Sequence, residues 1–118
     1  MSSRSQSTPV AEVHFGDWLR ELRETKGSLQ RAVAAAADMD VASLSKIELG
    51  QRLATEEQAG KLAKFFGVDE TEAQARRMVE KFRQESEENP EAARRAVCIL
   101  AEDAGFYRER RKSSRGKR

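Results

Sequence analysis

The sequence predicts an all-α protein, and three observations carry that expectation. Apolar residues recur at helical spacing along nearly the whole chain, most plainly in Phe15, Trp18, Leu19 and Leu22, which fall at i, i+3, i+4 and i+7. Helix start and stop signals punctuate the pattern at short intervals, with Thr55 and Gln58 or Asn89 and Pro90 opening segments and Gly27, Gly50, Gly67 and Gly105 closing them. No segment alternates apolar and polar residues as a half-buried strand would. A chain of 118 residues buries one modest core, so one compact domain with an appendage is expected.

Residues 1–12 are polar and Ser-rich, contain Pro9 and lack periodicity, which predicts a flexible arm. The first helix presents Phe15, Trp18, Leu19 and Leu22 to a core and stops at Gly27. Ser28 is expected to cap a short second helix running to Ala36, whose alanines let a neighbour approach closely. Asp38 stands where a tight turn needs a left-handed residue, which Asp tolerates better than most, and Asp40 is placed to cap the third helix. That helix spans Val41 to Glu48, burying Leu44 and Ile47. Thr55 with Gln58 forms a capping box for the fourth, which buries Ala59, Leu62, Ala63 and Phe66. Asp69 with Glu72 repeats the device for a fifth helix carrying Ala75, Met78, Val79 and Phe82 on one face. Asn89 and Pro90 open a sixth, with Ala93, Val97, Leu100 and Ala104 turned inward. The aromatics Phe15, Trp18, Phe65 and Phe66 are expected in the core.

Charged residues make up 36% of the chain, so most of what is not core must be solvated surface. The net charge of +2 is unevenly distributed: residues 13–68 hold eight basic and eight acidic side chains, 69–105 six and ten, and 106–118 seven and one. One Cys98 permits no internal disulfide, and with a single His14 it speaks against a metal site; both residues read as structurally ordinary. No cofactor is expected. No apolar run approaches the roughly 18 residues of a membrane span, and the N-terminus has no secretory signal, so a soluble cytoplasmic protein is expected. Nor is there a nucleophile with a base at meaningful spacing or a phosphate-cradling Gly loop, which argues against an enzyme.

Two helices joined by about four residues, the first made slim by alanines, describe a helix-turn-helix. "FGDWLRELRETKG", Gln30 with "AVA", "SLSKIELGQR" and "LAKFFGV" together resemble the lambda-repressor/Cro-like helix-turn-helix domain, the XRE family, over residues 13–68. The resemblance implies a five-helix DNA-binding domain, here followed by additional C-terminal amphipathic helices. It makes the second helix the positioning helix, with Gln30 anchored to the phosphate backbone, and the third the recognition helix. It further implies a buried pair between Arg23 and Glu48. That pairing agrees with charge logic, because a Glu at a helix C-terminus needs a compensating cation; a surface pair is the plainer alternative. Val41, Ala42, Ser45 and Lys46 would then face base edges, with Ser43 near the backbone and Arg31 and Arg52 on phosphates. Asp38 departs from the family's turn glycine, and Asp40 brings a carboxylate near the phosphates.

The function expected from these residues is sequence-specific regulation of transcription, with double-stranded DNA as partner and a homodimer repressing at a palindromic operator. Met78, Val79, Phe82, Val97 and Leu100, in the segment 69–105, are the candidate dimer surface, packing over the fourth helix being the alternative. An antitoxin or adaptor built on the same fold is the competing function. The basic segment 106–118 either aids solubility or adds nonspecific contacts to nucleic acid.

Overall fold

A computed structural model describes residues 13–103. Six helices occupy them: α1 (Phe15–Lys26), α2 (Gln30–Ala36), α3 (Val41–Glu48), α4 (Glu56–Phe66), α5 (Glu70–Glu88) and α6 (Pro90–Glu102), with no strand among the described residues. The protein is all-α. The segments 1–12 and 106–118, and the expected helix end at Ala104 and Gly105, lie outside the described residues. The chain divides into two units, one up to Lys81 and one from Phe82, and α5 runs through the division.

The first four helices end in the same way, and this explains why the sequence punctuates them so clearly. At the end of α1 the Gly27 N–H donates to the Glu24 carbonyl (3.1 Å) and the Ser28 N–H to the Arg23 carbonyl (3.0 Å). This pair of bonds satisfies carbonyls that the helix leaves open and requires a left-handed residue just past its end. The same pair recurs at Asp38, Gly50 and Gly67, with φ of +55°, +80° and +69°. Asp38 is the one non-glycine with positive φ among the described residues, as its placement in the turn predicts. Its carboxylate also receives Lys61 of α4, so this residue closes one helix and ties it to another.

Three helix starts carry the expected side-chain caps, whereas Glu72, expected to form a second capping box with Asp69, accepts from Arg76 Nε at 2.7 Å. Thr55 and Gln58 make both bonds of the capping box at 3.0 Å, Asp40 Oδ1 accepts the Ser43 N–H at 2.8 Å, and Asn89 Oδ1 accepts that of Ala92 at 3.1 Å. Ser28 does not cap α2. Its N–H is committed to closing α1, the chain stays extended through Leu29, and α2 begins at Gln30 without a side-chain cap.

The core of the first unit gathers Phe15 and Leu19 from α1, Val33 and Ala34 from α2, Leu44 and Ile47 from α3, and Ala59 and Leu62 from α4, all nearly inaccessible. Trp18, Phe65 and Phe66 pack against this cluster while partly buried. Each large side chain contributes roughly 1.5–3 kcal/mol by leaving water, and Leu44 and Ile47 alone therefore fix which side of α3 faces inward. Gly16 makes the close approach of α1 to α3 possible: a Cβ there would sit 2.4 Å from the Ile47 carbonyl oxygen and 2.6 Å from that of Glu48.

On the last helices one alternative fails and one expectation needs correction. On α5 the buried positions are Ala73 and Glu80, seven residues apart and so on one side of the helix, with Arg76 and Arg77 partly covered between them. Arg77 Nε donates to the Ala54 carbonyl (2.8 Å), Gln74 Nε2 to that of Glu56 (2.9 Å), and the Arg76 guanidinium lies 4.8 Å from the Trp18 ring centroid. At 100° per residue, Ala75, Met78, Val79 and Phe82 fall on the opposite side, and all are exposed. The apolar stripe thus does not pack over α4; polar side chains dock α5 on its own domain instead. On α6 nothing is buried, so Val97 and Leu100 are exposed rather than inward and Ala93 is only half-buried.

Candidate nucleic-acid interface

The helix-turn-helix is the α2–α3 pair, and its geometry is set by the residues that α3 buries. With Leu44, Ile47 and Glu48 turned to the core, the helical period leaves Val41, Ala42, Ser45 and Lys46 toward the outside. Val41, Ala42 and Lys46 are exposed and Ser45 is half-buried. Leu49 continues the stripe at i+3 from Lys46 and is 64% exposed, an apolar member of this face that its spacing could have revealed. Lysine brings three donors, serine a donor and acceptor, and valine, alanine and leucine apolar contact. This is the repertoire that distinguishes base edges in a major groove.

Behind that face lies a polar joint between three helices. Arg23 of α1 donates from Nε to Glu48 Oε2 at 2.8 Å and from Nη2 to Oε1 at 3.0 Å, a two-pronged bond to a carboxylate that is only 5% exposed. Those bonds hold the Arg23 guanidinium above its ordinary pKa, against the opposing pull of desolvation. Gln30 at the start of α2 donates from Nε2 to Glu48 Oε1 at 3.1 Å and lies 3.5 Å from Ser45 Oγ. The three residues therefore fix α2 and α3 against α1. Gln30 is half-buried and joined to this network rather than standing alone on the surface.

At the start of α3, Ser43 is half-buried and its hydroxyl receives Arg52 Nη1 at 2.9 Å. The Ser43 N–H holds the Asp40 carboxyl below its usual pKa, helped by the Ser43 hydroxyl and by the charges of Arg52 and Lys46. The carboxylate that stood as a departure from the family pattern is thus a cap with cations on hand. Arg52 and Arg31 are both exposed. Among the candidate dimer residues, Met78, Val79, Val97 and Leu100 are about half exposed or more, and Phe82 is 37% exposed.

Two residues escaped sequence reasoning because their partners are remote in the chain. Gly16 reads as a mere spacer in the first helix until its contact with the α3 carbonyls is seen. Glu80 accepts the Phe15 N–H at 3.2 Å and the His14 Nδ1–H at 3.1 Å, supplying from α5 the side-chain cap that α1 lacks. His14 is therefore not the ordinary residue it appears in sequence. Cys98 is free and exposed. Among the described residues no group of three or more His, Cys, Asp or Glu could hold a metal ion, and no helix is long and apolar enough to cross a membrane.

An all-α domain with a short helix braced against a second helix that turns one face outward defines the helix-turn-helix class. Residues 14–75, just over half of the chain, match the family model described as a helix-turn-helix domain, and the protein belongs to that family. This agrees with the lambda-repressor/Cro-like resemblance of its motifs. The chain matches no curated protein and no solved structure. Domains of this family are modules of DNA-binding regulators and are typically non-enzymatic.

Proposed function

We propose that the protein is a sequence-specific transcriptional regulator that lays α3 in the major groove of double-stranded DNA. The observation that carries this reading is the division of α3 into a locked inner side, Leu44, Ile47 and Glu48, and an exposed outer side bearing Val41, Ala42 and Lys46. Lys46 donates to guanine O6 and N7, Ser45 adapts to neighbouring edges, and Val41 and Ala42 meet thymine methyls. Arg52 and Arg31 contact phosphates, and Gln30, whose Nε2 donates to Glu48 at 3.1 Å and to Ser45 Oγ at 3.5 Å, reaches the backbone by exchanging the longer of these bonds for a phosphate oxygen.

The regulator acts as a homodimer on a palindromic operator, because two recognition helices one DNA turn apart bind far more tightly than one. The exposed stripe Met78, Val79 and Phe82 on α5, facing away from the side that docks on the domain, supports this, as do the exposed Val97 and Leu100 on α6. Occupying promoter DNA is the simplest regulatory consequence, so the function is repression. The organisation is an N-terminal arm, a helix-turn-helix domain at 13–68, a dimerisation segment at 69–105 and a basic tail that adds salt-sensitive, nonspecific contacts. Selecting bound duplexes from a random pool tests the reading: a two-fold motif is expected, and enrichment of no motif contradicts sequence-specific binding.

A further inference from the structure

We infer that Asp40 is a specificity-determining residue of the α3 surface, its carboxylate accepting a hydrogen bond from the exocyclic N4 amino group of one cytosine in the major groove. The inference rests on the proposed docking of α3 and adds to it a contact of the opposite polarity from Lys46. Asp40 is exposed and immediately precedes Val41, so it stands at the leading end of the helix that faces the bases.

Unlike a mobile surface carboxylate, it is fixed. Oδ1 accepts the Ser43 N–H at 2.8 Å, and the Ser43 hydroxyl is itself held by Arg52 Nη1 at 2.9 Å. A carboxylate offers about four acceptor sites, and the Ser43 N–H and hydroxyl together take two, so acceptor capacity remains for a ligand in front of the helix. The bonds from Ser43 favour the ionised group, helped by the nearby charges of Arg52 and Lys46, which also soften its repulsion from phosphates.

An ionised carboxylate only accepts. In the major groove guanine presents O6 and N7 and thymine O4, all acceptors that repel it, while the adenine amino group lies beside the N7 acceptor. Cytosine N4 is the one donor without an acceptor on the same base edge. Capping by itself does not call for the charge, since Asn and Ser cap as well as Asp. A carboxylate facing a polyanion lowers affinity for every sequence, and a cytosine contact returns that loss at one sequence only.

The test compares bound sequences selected from a random pool by the full-length wild type, Asp40→Asn and Asp40→Ser, each checked by thermal melting. Both replacements keep a cap, and Asn adds an N–H donor that tolerates guanine or thymine. Expected are a wild-type motif with cytosine at one position and, in both variants, a roughly tenfold loss of that preference with the other positions kept. Variants that select the wild-type motif unchanged, or that shift affinity equally at all positions, overturn the assignment. If the wild type itself enriches no motif, the DNA-binding reading fails and the assignment falls with it.

Discussion

Replacing Glu48 by Ala removes the centre of the joint between α1, α2 and α3, and the expected damage follows from its burial. Glu48 accepts both prongs of Arg23 and one N–H of Gln30 while only 5% exposed. Removing one partner of a buried ion pair costs roughly 3–5 kcal/mol, chiefly because the other charge stays behind unpaired. The Arg23 side chain keeps 17% of its exposure, so water solvates part of that charge and the lower end, about 3 kcal/mol, applies. In a domain of this size that lowers the melting temperature by roughly 12–24 °C. Circular dichroism melts of wild type, Glu48→Ala, Arg23→Met and the double variant Arg23→Met/Glu48→Leu measure the effect and its coupling. The double variant, apolar throughout, should recover much of the loss. A Glu48→Ala protein melting within a few degrees of wild type refutes the idea that this pair braces α3.

Three further outcomes are expected from the same geometry. Gly16→Ala should destabilise by about 2 kcal/mol, because the new methyl meets backbone carbonyls that cannot turn aside, and the helix-propensity gain of at most about 1 kcal/mol is smaller than that strain; an unchanged urea midpoint contradicts the close approach. Since the Asp40 pKa is lowered by its bond from Ser43, its contribution is present above the unfolded value near 3.9 and lost as pH falls through the folded one. Asp40→Asn should therefore match wild-type stability at neutral pH and lose less of it on acidification below about 4, read from urea midpoints across that range. Phe82→Glu with Leu100→Glu should sediment as a folded monomer where the wild type sediments as a dimer; a wild type that is monomeric at tens of micromolar contradicts the proposed interface.

Much of the fold was legible because local rules decide helix ends. The left-handed positions at Gly27, Asp38, Gly50 and Gly67, and the caps at Asp40, Thr55 and Asn89, each depend on residues within a turn of one another. The inner faces of α1, α3 and α4 were legible for a similar reason, since their apolar stripes are what the core contains. Legibility stopped where packing is polar or remote. On α5 the eye goes to Met78, Val79 and Phe82, yet the docked side is Ala73, Arg77 and Glu80, held by hydrogen bonds to residues more than 20 positions away. Ser28 misled because the chain stays extended for one residue more, which puts Leu29 at the N-cap position of α2. On α3 the resemblance singled out Lys46 and Ser45 as outward-facing, but gave no sign that Gln30 would be engaged by Glu48 or Arg52 by Ser43.

The measurement closest to the central claim is the affinity of wild type, Lys46→Ala and Arg52→Ala for a selected duplex and for a scrambled one, across a salt series. If the outer side of α3 reads bases, Lys46→Ala loses roughly 1–3 kcal/mol on the selected duplex and much less on the scrambled one. Arg52→Ala, a phosphate contact, weakens both alike and lowers the salt slope by about one. Equal losses for the two variants on both duplexes contradict base reading by this helix.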